Sequence, residues 1–334
     1  MDSLLQKHID TKRGLHYRYY VSPESDASRP TLLLLHGWPD SAHLWQYVVP
    51  HLASLKCKLV VPDLLGFGRT SKPTDPKLYN YRRVCEDLME ILETENAGDI
   101  VPIGHDWGCY FASRFHLVYP ERCPATVHIG IPYMAPMTEH MDLDTVNEMM
   151  VQALGYPRYE YFKLFSSSDA PKIFSEHLES VWYALHGDVD DWIKKMFCER
   201  DAMKNFLLQD RTDVPLKPYA QDTRLKEHWK ADMKEASSWE AAFCVYQALL
   251  QDVQMEEDKN IPAESYRLTL PVLYIACDGD GVNPPDLINL PKGAGLLPDL
   301  RVEVLHSSHW CPYEKPEEMA ALITNFLTER ELVV

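Results

Sequence analysis

The chain has 334 residues, which is ample for a full hydrophobic core and long for a single compact domain. Its formal net charge is −17, which disfavours nucleic acids and anionic membranes as partners. No stretch of the sequence approaches the roughly 20 apolar residues that a membrane-spanning helix requires. We therefore expect one α/β core that carries a sizeable insertion.

The eight cysteines are scattered along the sequence without Cys-x-x-Cys pairs. This usage is typical of reduced, mostly buried thiols in a cytosolic protein. The first residues lack the apolar region of a signal peptide, and the last three are not a Ser-Lys-Leu address. We expect a cytoplasmic protein, and the sequence leaves both a monomer and a homodimer open.

Three strands are predicted in the first part of the chain. Residues 15–21 alternate apolar and polar side chains, which predicts an antiparallel strand with one buried face. Residues 31–35 are almost entirely apolar, as in a central strand covered on both faces, and they lead into His-Gly-Trp-Pro at 36–39. Residues 58–61 predict a third strand, followed by a loop that contains Gly-Phe-Gly at 66–68. This Gly-x-Gly lacks the third glycine of a dinucleotide-binding fingerprint, so we interpret it as a loop.

A tight turn, Gly-His-Asp-Trp-Gly at 104–108, lies between a predicted strand at 99–103 and a predicted helix at 109–115. Strand, small-x-nucleophile-x-small and helix is the layout of a nucleophile elbow, whose central residue is strained and projects from the sheet. Here the central residue is Asp106 rather than serine or cysteine, which predicts carboxylate attack at a saturated carbon and an alkyl-ester intermediate. The simpler alternative is an ordinary turn in which Asp106 caps the helix.

The strand pattern stops after a predicted strand at 125–129 and returns only near residue 271. Between about 134 and about 260 helical signals dominate, and four helical segments are predicted there, at 143–154, 170–185, 189–208 and 229–250. We therefore expect a helical cap domain at 134–260, inserted into a core made of 1–133 and 261–334.

Two more strands are predicted at 271–276 and 300–305, and a last helix at 316–330. A helix is also predicted at 81–92. Strands that alternate with helices indicate a mainly parallel, doubly wound sheet. In such sheets ligands bind beyond the carboxyl ends of the strands.

Reactive side chains follow three of these predicted strands, in the order nucleophile, acid, histidine that α/β-hydrolase triads share. Asp106 is the candidate nucleophile, and His309 is the candidate general base because its pKa lies near neutrality. Asp280 is the favoured acid partner of the histidine, and Asp278 remains an alternative. His306 is expected to be packed within its strand, and a zinc site with His309 lacks an evident third ligand.

An oxyanion formed during such chemistry needs two backbone N–H groups. We expect one from Trp107, directly after the nucleophile, and one from Trp38 in the His-Gly-Trp-Pro loop. The helix that begins at Trp107 directs its positive dipole end at Asp106, which favours the ionised carboxylate.

Taken together, the motifs resemble the soluble epoxide hydrolase family of α/β-hydrolase-fold enzymes, in particular the fungal, plant and mammalian soluble type. The motifs are His-Gly-Trp-Pro, Gly-Phe-Gly, Gly-His-Asp-Trp-Gly, Asp280 and Ser-His-Trp at 308–310, and the resemblance covers nearly the whole chain. It implies a helical cap inserted after the sixth strand. It also implies conversion of a small-molecule epoxide and water to a vicinal diol through a hydroxyalkyl ester on Asp106, with no cofactor and no metal.

The resemblance also implies two cap tyrosines that hydrogen-bond the epoxide oxygen and protonate it as the ring opens, a role that suits a neutral phenol. Tyr246 matches the second of these tyrosines. Tyr161 matches the first best, and Tyr159 and Tyr156 remain open. Both matched tyrosines would line the substrate pocket, together with Trp38 and Trp107.

Two positions depart from the family pattern: Leu65 stands where many relatives have arginine, and Ser308 where many have glycine. Neither change removes a catalytic group. A haloalkane dehalogenase is the nearest alternative, in which the indole of Trp107 and a second donor would hold halide, but Trp38 occupies the place of a polar donor. A catalytically inactive ligand-binding relative is a further alternative, and a serine esterase is disfavoured because Asp106 occupies the elbow.

Overall fold

The computed structural model describes residues 1–333, which form one eight-stranded sheet with helices packed against it. The strands are β1 (Leu5–Asp10), β2 (His16–Val21), β3 (Thr31–Leu35), β4 (Lys58–Pro62), β5 (Ile100–His105), β6 (Thr126–Ile129), β7 (Val272–Cys277) and β8 (Leu300–Leu305). Their order across the sheet is β1-β2-β4-β3-β5-β6-β7-β8. β2 pairs antiparallel with both β1 and β4, and all other neighbours are parallel. The prediction of a mainly parallel α/β-hydrolase sheet is confirmed.

The helices outside the long insertion are α1 (Val49–Leu52), α2 (Tyr81–Thr94), α3 (Trp107–Val118), α13 (Asn289–Gly293), α14 (Cys311–Glu314) and α15 (Pro316–Glu329). The helices between β6 and β7, which we call the cap, are α4 (Leu143–Leu154), α5 (Tyr161–Phe165), α6 (Ala170–Glu176), α7 (Leu178–His186), α8 (Trp192–Cys198), α9 (Ala202–Leu208), α10 (Thr223–Met233), α11 (Ala236–Leu250) and α12 (Val253–Asp258). Short 3-10 helices occur at Ala42–Trp45, Ala53–Leu55, Pro76–Tyr79, Pro120–Arg122, Pro218–Gln221, Ala263–Tyr266 and Pro285–Ile288.

The central strands are buried on both faces, as their apolar sequences predict. Every residue of β3, β5 and β7 is buried, whereas β8 at the edge of the sheet leaves Val304 exposed. This difference follows from position, because a central parallel strand is covered by helices on both sides and an edge strand is not.

The expectation for the first predicted strand is wrong in one respect. β2 is buried on both faces rather than one, and its Arg18 is buried because Nε donates to Asp63 at 2.6 Å. β1 has no counterpart among the predicted strands. Its side chains are exposed or half-buried, so the alternation that marks a strand in a sequence is weak there.

The cap follows the sixth strand, as expected, but three of its predicted helices are each divided in two. The break between α6 and α7 falls at His177, the break between α8 and α9 includes Asp201 with φ +56°, and the break before α11 falls at Glu235 in an extended conformation. These residues leave helical geometry, while the apolar pattern continues across them. The domain boundaries at 134 and 260 stay a prediction.

The cap is joined to the core by aromatic packing and by buried polar contacts. The indole of Trp38 lies 4.3 Å, centroid to centroid, from the ring of Phe165. Arg114 of α3 pairs with Asp258 of α12 at 3.1 Å, with both side chains buried. These contacts hold the cap over the carboxyl ends of the parallel strands.

All eight cysteines are buried and unpaired in the described chain, which agrees with the expectation of reduced thiols. Among residues 1–333, no helix has the length and apolar character needed to cross a bilayer.

Candidate active site

The turn between β5 and α3 places Asp106 in a conformation that most residues avoid. Its φ is +54° and its ψ is −126°, a strained region that typically costs about 1–3 kcal/mol. A Cβ atom on Gly104 would lie 2.2 Å from the carbonyl carbon of Gly108, and one on Gly108 would lie 2.1 Å from the carbonyl oxygen of Leu35. The two glycines therefore permit the tight turn, which directs the Asp106 carboxylate away from the sheet.

The Asp106 carboxylate is buried and receives backbone donors. The N–H of Trp38 donates to its Oδ1 at 2.8 Å, and the N–H of Trp107 also bonds the carboxylate. A Cβ atom on Gly37 would lie 2.3 Å from the same Oδ1, so only glycine allows this approach. Burial raises the pKa of Asp106, while the nearby His309 and the two N–H groups oppose the rise. The carboxylate thus receives two backbone donors, the kind of group that stabilises an oxyanion.

The structure places His309 between two carboxylates. Its Nδ1 is 2.7 Å from Oδ2 of Asp280, and its Nε2 is 3.7 Å from Oδ2 of Asp106. The alternative acid, Asp278, contacts His306 instead. The expectation that His306 is packed is wrong, because its ring lies beyond the last strand with 87% of the side chain exposed.

The charges of Asp106, Asp280 and His309 strongly affect one another's pKa values. Burial alone would lower the pKa of His309, but the charge and hydrogen bond of Asp280, together with the charge of Asp106, raise it to about 9. Burial would raise the pKa of Asp280, but its interactions with His309 outweigh this effect and lower it to about 2. Nδ1 of the imidazole therefore carries a proton toward Asp280, and Nε2 faces Asp106.

Each carboxylate oxygen of Asp280 accepts two hydrogen bonds. Oδ1 accepts from the backbone N–H groups of Val282 at 2.9 Å and Asn283 at 3.1 Å, and Oδ2 accepts from the side-chain amide of Asn283 at 3.0 Å. Arg158 of the cap donates in turn to the carbonyl of Val282 at 2.6 Å and to Oδ1 of Asn283. Sequence reasoning missed Arg158 and Asn283, since neither belongs to a motif.

The loop that carries His309 is fixed by three further side chains that the sequence did not single out. The carbonyl of His309 accepts from Nε2 of His105 at 2.8 Å. Asp40 accepts from the indole of Trp310 at 3.0 Å and from the hydroxyl of Tyr313 at 2.9 Å. Burial raises the pKa of Asp40 to about 6, and the two donors oppose the rise. Two sequence signals were available. His105 directly precedes the nucleophile within its motif, and Asp40 directly follows His-Gly-Trp-Pro.

Tyr161 and Tyr246 converge above Asp106. Their ring centroids are 5.9 Å apart, and the ring of Tyr246 lies edge-on to Trp107 at 5.1 Å. Burial raises the pKa of both tyrosines well above 10, and the charge of Asp106 adds to the rise. Both phenols are therefore neutral at physiological pH and able to donate a proton.

The other two candidate tyrosines have different partners. Tyr156 donates to the carbonyl of Gly281 at 2.7 Å, and the hydroxyl of Tyr159 accepts from Arg158. Of the three candidates for the first cap tyrosine, Tyr161 is the one that lines a cavity together with both Asp106 and His309.

Asp106 lines two cavities, which we call the main and the small cavity, and an outer cavity adjoins the main one. The main cavity, of about 120 Å³, is lined by Asp106, Trp107, Tyr110, Ile131, Met134, Met137, Met141, Val146, Arg158, Tyr159, Tyr161, Phe162 and Leu249. The outer cavity, of about 320 Å³, shares several of these walls and extends to Leu290, which is 66% exposed. The small cavity, of about 10 Å³, is lined by Trp38, Asp106, Tyr161, Ile193, Phe197, Tyr246, Val282, Asn283, His309 and Trp310. Across residues 1–333, no three His, Cys, Asp or Glu side chains are grouped so as to hold a metal ion.

Comparison with known proteins gives concordant matches. The sequence profile of the family described as alpha/beta hydrolase fold matches residues 30–316. A protein of Neurospora crassa named epoxide hydrolase srdG is 28% identical over 337 residues, covering 95% of this chain and 93% of that protein. A protein of Caballeronia sordidicola named epoxide hydrolase is 32% identical over 312 residues, covering 91% and 89%. The solved structure of an epoxide hydrolase from Vigna radiata matches the fold with a TM-score of 0.79 at 18% identity, covering 98% and 99%.

Proposed function

Because the chain belongs to the epoxide hydrolases of the α/β-hydrolase fold, we propose that it converts an epoxide to a vicinal diol through a covalent ester on Asp106. One observation carries the proposal. A buried carboxylate with two backbone donors, 3.7 Å from an imidazole, shares a cavity with two neutral phenols. Hydrolysis of an epoxide by this route needs three groups: a nucleophile that attacks carbon, an acid that protonates the oxygen and a base that activates water.

In the first step, Oδ2 of Asp106 attacks an oxirane carbon while Oδ1 stays bound to the N–H of Trp38. The carbon–oxygen bond of the ring breaks, and its electrons move to the departing oxygen. Tyr161 and Tyr246 hydrogen-bond that oxygen, and one of them transfers its proton to the alkoxide. Their raised pKa values keep them protonated until the ring opens.

Formation of the ester changes the charge of the site, and this change prepares the second step. Asp106 loses its negative charge when it becomes an ester, so one of the charges that hold the pKa of His309 near 9 disappears. The imidazole then releases its extra proton, which returns through solvent to the phenol that protonated the alkoxide, and the neutral ring becomes a base. Asp280 keeps it oriented through the 2.7 Å hydrogen bond.

In the second step, neutral His309 removes a proton from water, and the oxygen of that water attacks the ester carbonyl of Asp106. The negative charge develops on Oδ1, which already accepts from the N–H of Trp38, and the N–H of Trp107 stabilises the same group. When the intermediate collapses, the diol leaves with a proton from His309, and Asp106 retains one oxygen from water. Loss of an oxyanion donor typically costs about 100- to 1000-fold in rate.

The test is to look for the ester itself. In His309→Gln, mass spectrometry after exposure to styrene oxide should find one substrate mass added at Asp106, and Asp106→Asn should carry none. In a single turnover of the unaltered protein in heavy-oxygen water, the label should enter Asp106, and the first diol should carry ordinary oxygen. Label found only in the first diol, with no adduct in His309→Gln, would contradict the covalent mechanism.

The dehalogenase alternative can be separated in the same experiment. The indole of Trp107 is already engaged with the hydroxyl of Tyr246, so it is not free to hold a halide. We expect turnover of styrene oxide and none of 1-chlorohexane. Faster turnover of the chloroalkane would instead assign the site to dehalogenation.

A further inference from the structure

The space around Asp106 is strongly unequal on its two sides. Asp106 and Tyr161 line both the main cavity and the small cavity, so an oxirane held between them lies at the boundary. The main cavity measures about 120 Å³ and the small cavity about 10 Å³. A substituent on one oxirane carbon has room, and a substituent on the other does not.

The small cavity has the size and the chemistry of a site for one water molecule. A cavity of roughly 10–15 Å³ accommodates a single water molecule, which needs two to four polar partners. Asp106, Asn283 and His309 supply polar side chains to its lining. The proposed second step needs a water beside His309, and a carbon chain in this cavity would displace it.

The walls of the small cavity are closed by bulky side chains. Phe197 and Ile193 of α8 close it from the cap, and Trp38 and Val282 close it from the core. All four are buried, and the Phe197 ring packs against Trp38 and Tyr161. Close-packed aromatic and branched side chains do not yield space without cost.

The main cavity has the opposite character. Met134, Met137 and Met141 line it, and methionine side chains adapt to irregular apolar ligands. The walls that it shares with the outer cavity are Ile131, Met134, Met137, Arg158 and Tyr159. These side chains separate the main cavity from the outer cavity, which extends to Leu290 at the surface.

We propose that the substrates of this enzyme are terminal epoxides, in which one oxirane carbon is an unsubstituted CH₂ and the other carries a single apolar chain or ring. This proposal rests on the epoxide hydrolase function proposed above. The apolar group occupies the main cavity, and the small cavity keeps the water that hydrolyses the ester. Internal epoxides, with carbon on both sides of the ring, are excluded by the walls of the small cavity.

The experiment compares two epoxides of identical composition, 1,2-epoxydecane and trans-5,6-epoxydecane. The terminal epoxide should have a kcat/KM at least about 100-fold higher, since steric selection by even one misplaced methylene reaches about 10- to 200-fold. Values within threefold of one another, or a preference for the internal epoxide, would overturn the proposal while leaving the hydrolase function intact. Turnover of neither compound would overturn both.

Two matched truncations locate the selectivity. Ile193 separates the small cavity from a polar cleft on its far side, so Ile193→Ala should enlarge the small cavity and raise the internal-to-terminal ratio of kcat/KM by about tenfold. Leu249→Ala removes a side chain of similar size from the main cavity and should not raise that ratio. Because each ratio is measured on one preparation, a partly unfolded variant does not distort it. An increase with Leu249→Ala alone would contradict the assignment of the small cavity.

Discussion

The core and the cap position the residues that they contribute to the site by different means. In the core, the imidazole of His309 has a carboxylate at 2.7 Å on one nitrogen and another at 3.7 Å on the other. In the cap, Tyr161 and Tyr246 are held by edge-on aromatic neighbours, among them Phe162 and Phe165. Buried charges require hydrogen-bonded partners, whereas neutral phenols can be positioned mainly by aromatic packing. The indole of Trp107 uses the hydroxyl of Tyr246 as an acceptor, so both phenols keep their O–H groups to donate to a substrate.

Among the contacts that cross between the two regions, one reaches the acid of the site. Arg158 lies before α5 of the cap and donates to the loop that follows Asp280. Its guanidinium is buried, and the carbonyl of Val282 and the amide oxygen of Asn283 are its acceptors in that loop. Closure of the cap and orientation of the acid are thereby linked through this side chain.

The largest expected effect comes from the core nucleophile. Asp106→Asn preserves the shape of the side chain but removes the charge that attacks the oxirane. We expect a fall in kcat/KM on the order of 10⁶-fold, comparable to loss of a nucleophile in other hydrolases. Activity within about tenfold of the parent, with the unfolding temperature unchanged, would show that another residue attacks.

The cap tyrosines should affect one step only. Tyr161→Phe and Tyr246→Phe should each slow ester formation by about 100-fold and both together by about 10⁴-fold, within the range of general acid catalysis. Ester hydrolysis, followed by mass spectrometry during a single turnover, should stay unchanged, because no phenol acts in it. Tyr156→Phe is the matched control, since its hydroxyl binds Gly281 outside the main, small and outer cavities. Equal slowing of both steps would contradict the separation between cap and core.

Removing the bridge between the regions should act on the opposite step. Arg158→Met leaves the amide of Asn283 without its anchor, so Asp280 and His309 lose their fixed geometry. We expect ester hydrolysis to slow by about 10- to 100-fold, as for an angstrom-scale misplacement of a reacting group. Ester formation, which does not use Asp280, should slow less than ester hydrolysis, because Arg158 contributes to that step only as a wall of the main cavity and a charge near Tyr161. A variant that slows both steps equally would indicate a structural defect rather than a positioning role.

The sequence was informative where chemistry and local geometry coincide. The elbow at Asp106 was recognisable because a strained turn requires glycine on both sides, and the fold followed from the apolar runs of the central strands. The structure brings Asp106, Asp280 and His309 together, and their roles stay predictions. The helix breaks at His177 and Asp201 escaped notice because apolar periodicity continues across them.

Contacts distant in the chain explain the remaining differences. Arg158 and Asn283 are 125 positions apart, and neither segment contains a local sequence pattern that predicts their hydrogen bond. His306 follows a predicted strand and was expected to be packed, but β8 lies at an edge of the sheet and ends before it, so the side chain is 87% exposed although it contacts Asp278. Position within the sheet, rather than local pattern, decides such cases.

The pH dependence of the two steps should differ. In the free protein the imidazole of His309 titrates near 9, because Asp280 and Asp106 both stabilise its charge. After alkylation the charge of Asp106 is absent, so ester hydrolysis should rise with pH around a midpoint clearly below 9. Rapid-quench measurements of ester decay between pH 5 and 10, beside NMR titration of the free protein, provide the comparison. A decay midpoint at or above that of the free protein would contradict the proposed change of charge.

The smallest effect concerns stability, and its sign follows from the same pKa. The pKa of His309 is raised from 6.5 to about 9 in the folded protein, so the charged imidazole stabilises the fold. This contribution is fully present below about pH 6.5 and is lost as the pH rises through 9. The unfolding temperature of the protein should therefore exceed that of His309→Gln by a few degrees at pH 6, and the difference should shrink by pH 9. A difference that grows over this interval would mean that the core holds a neutral imidazole, and the contrast between a charged core and a neutral cap would fail.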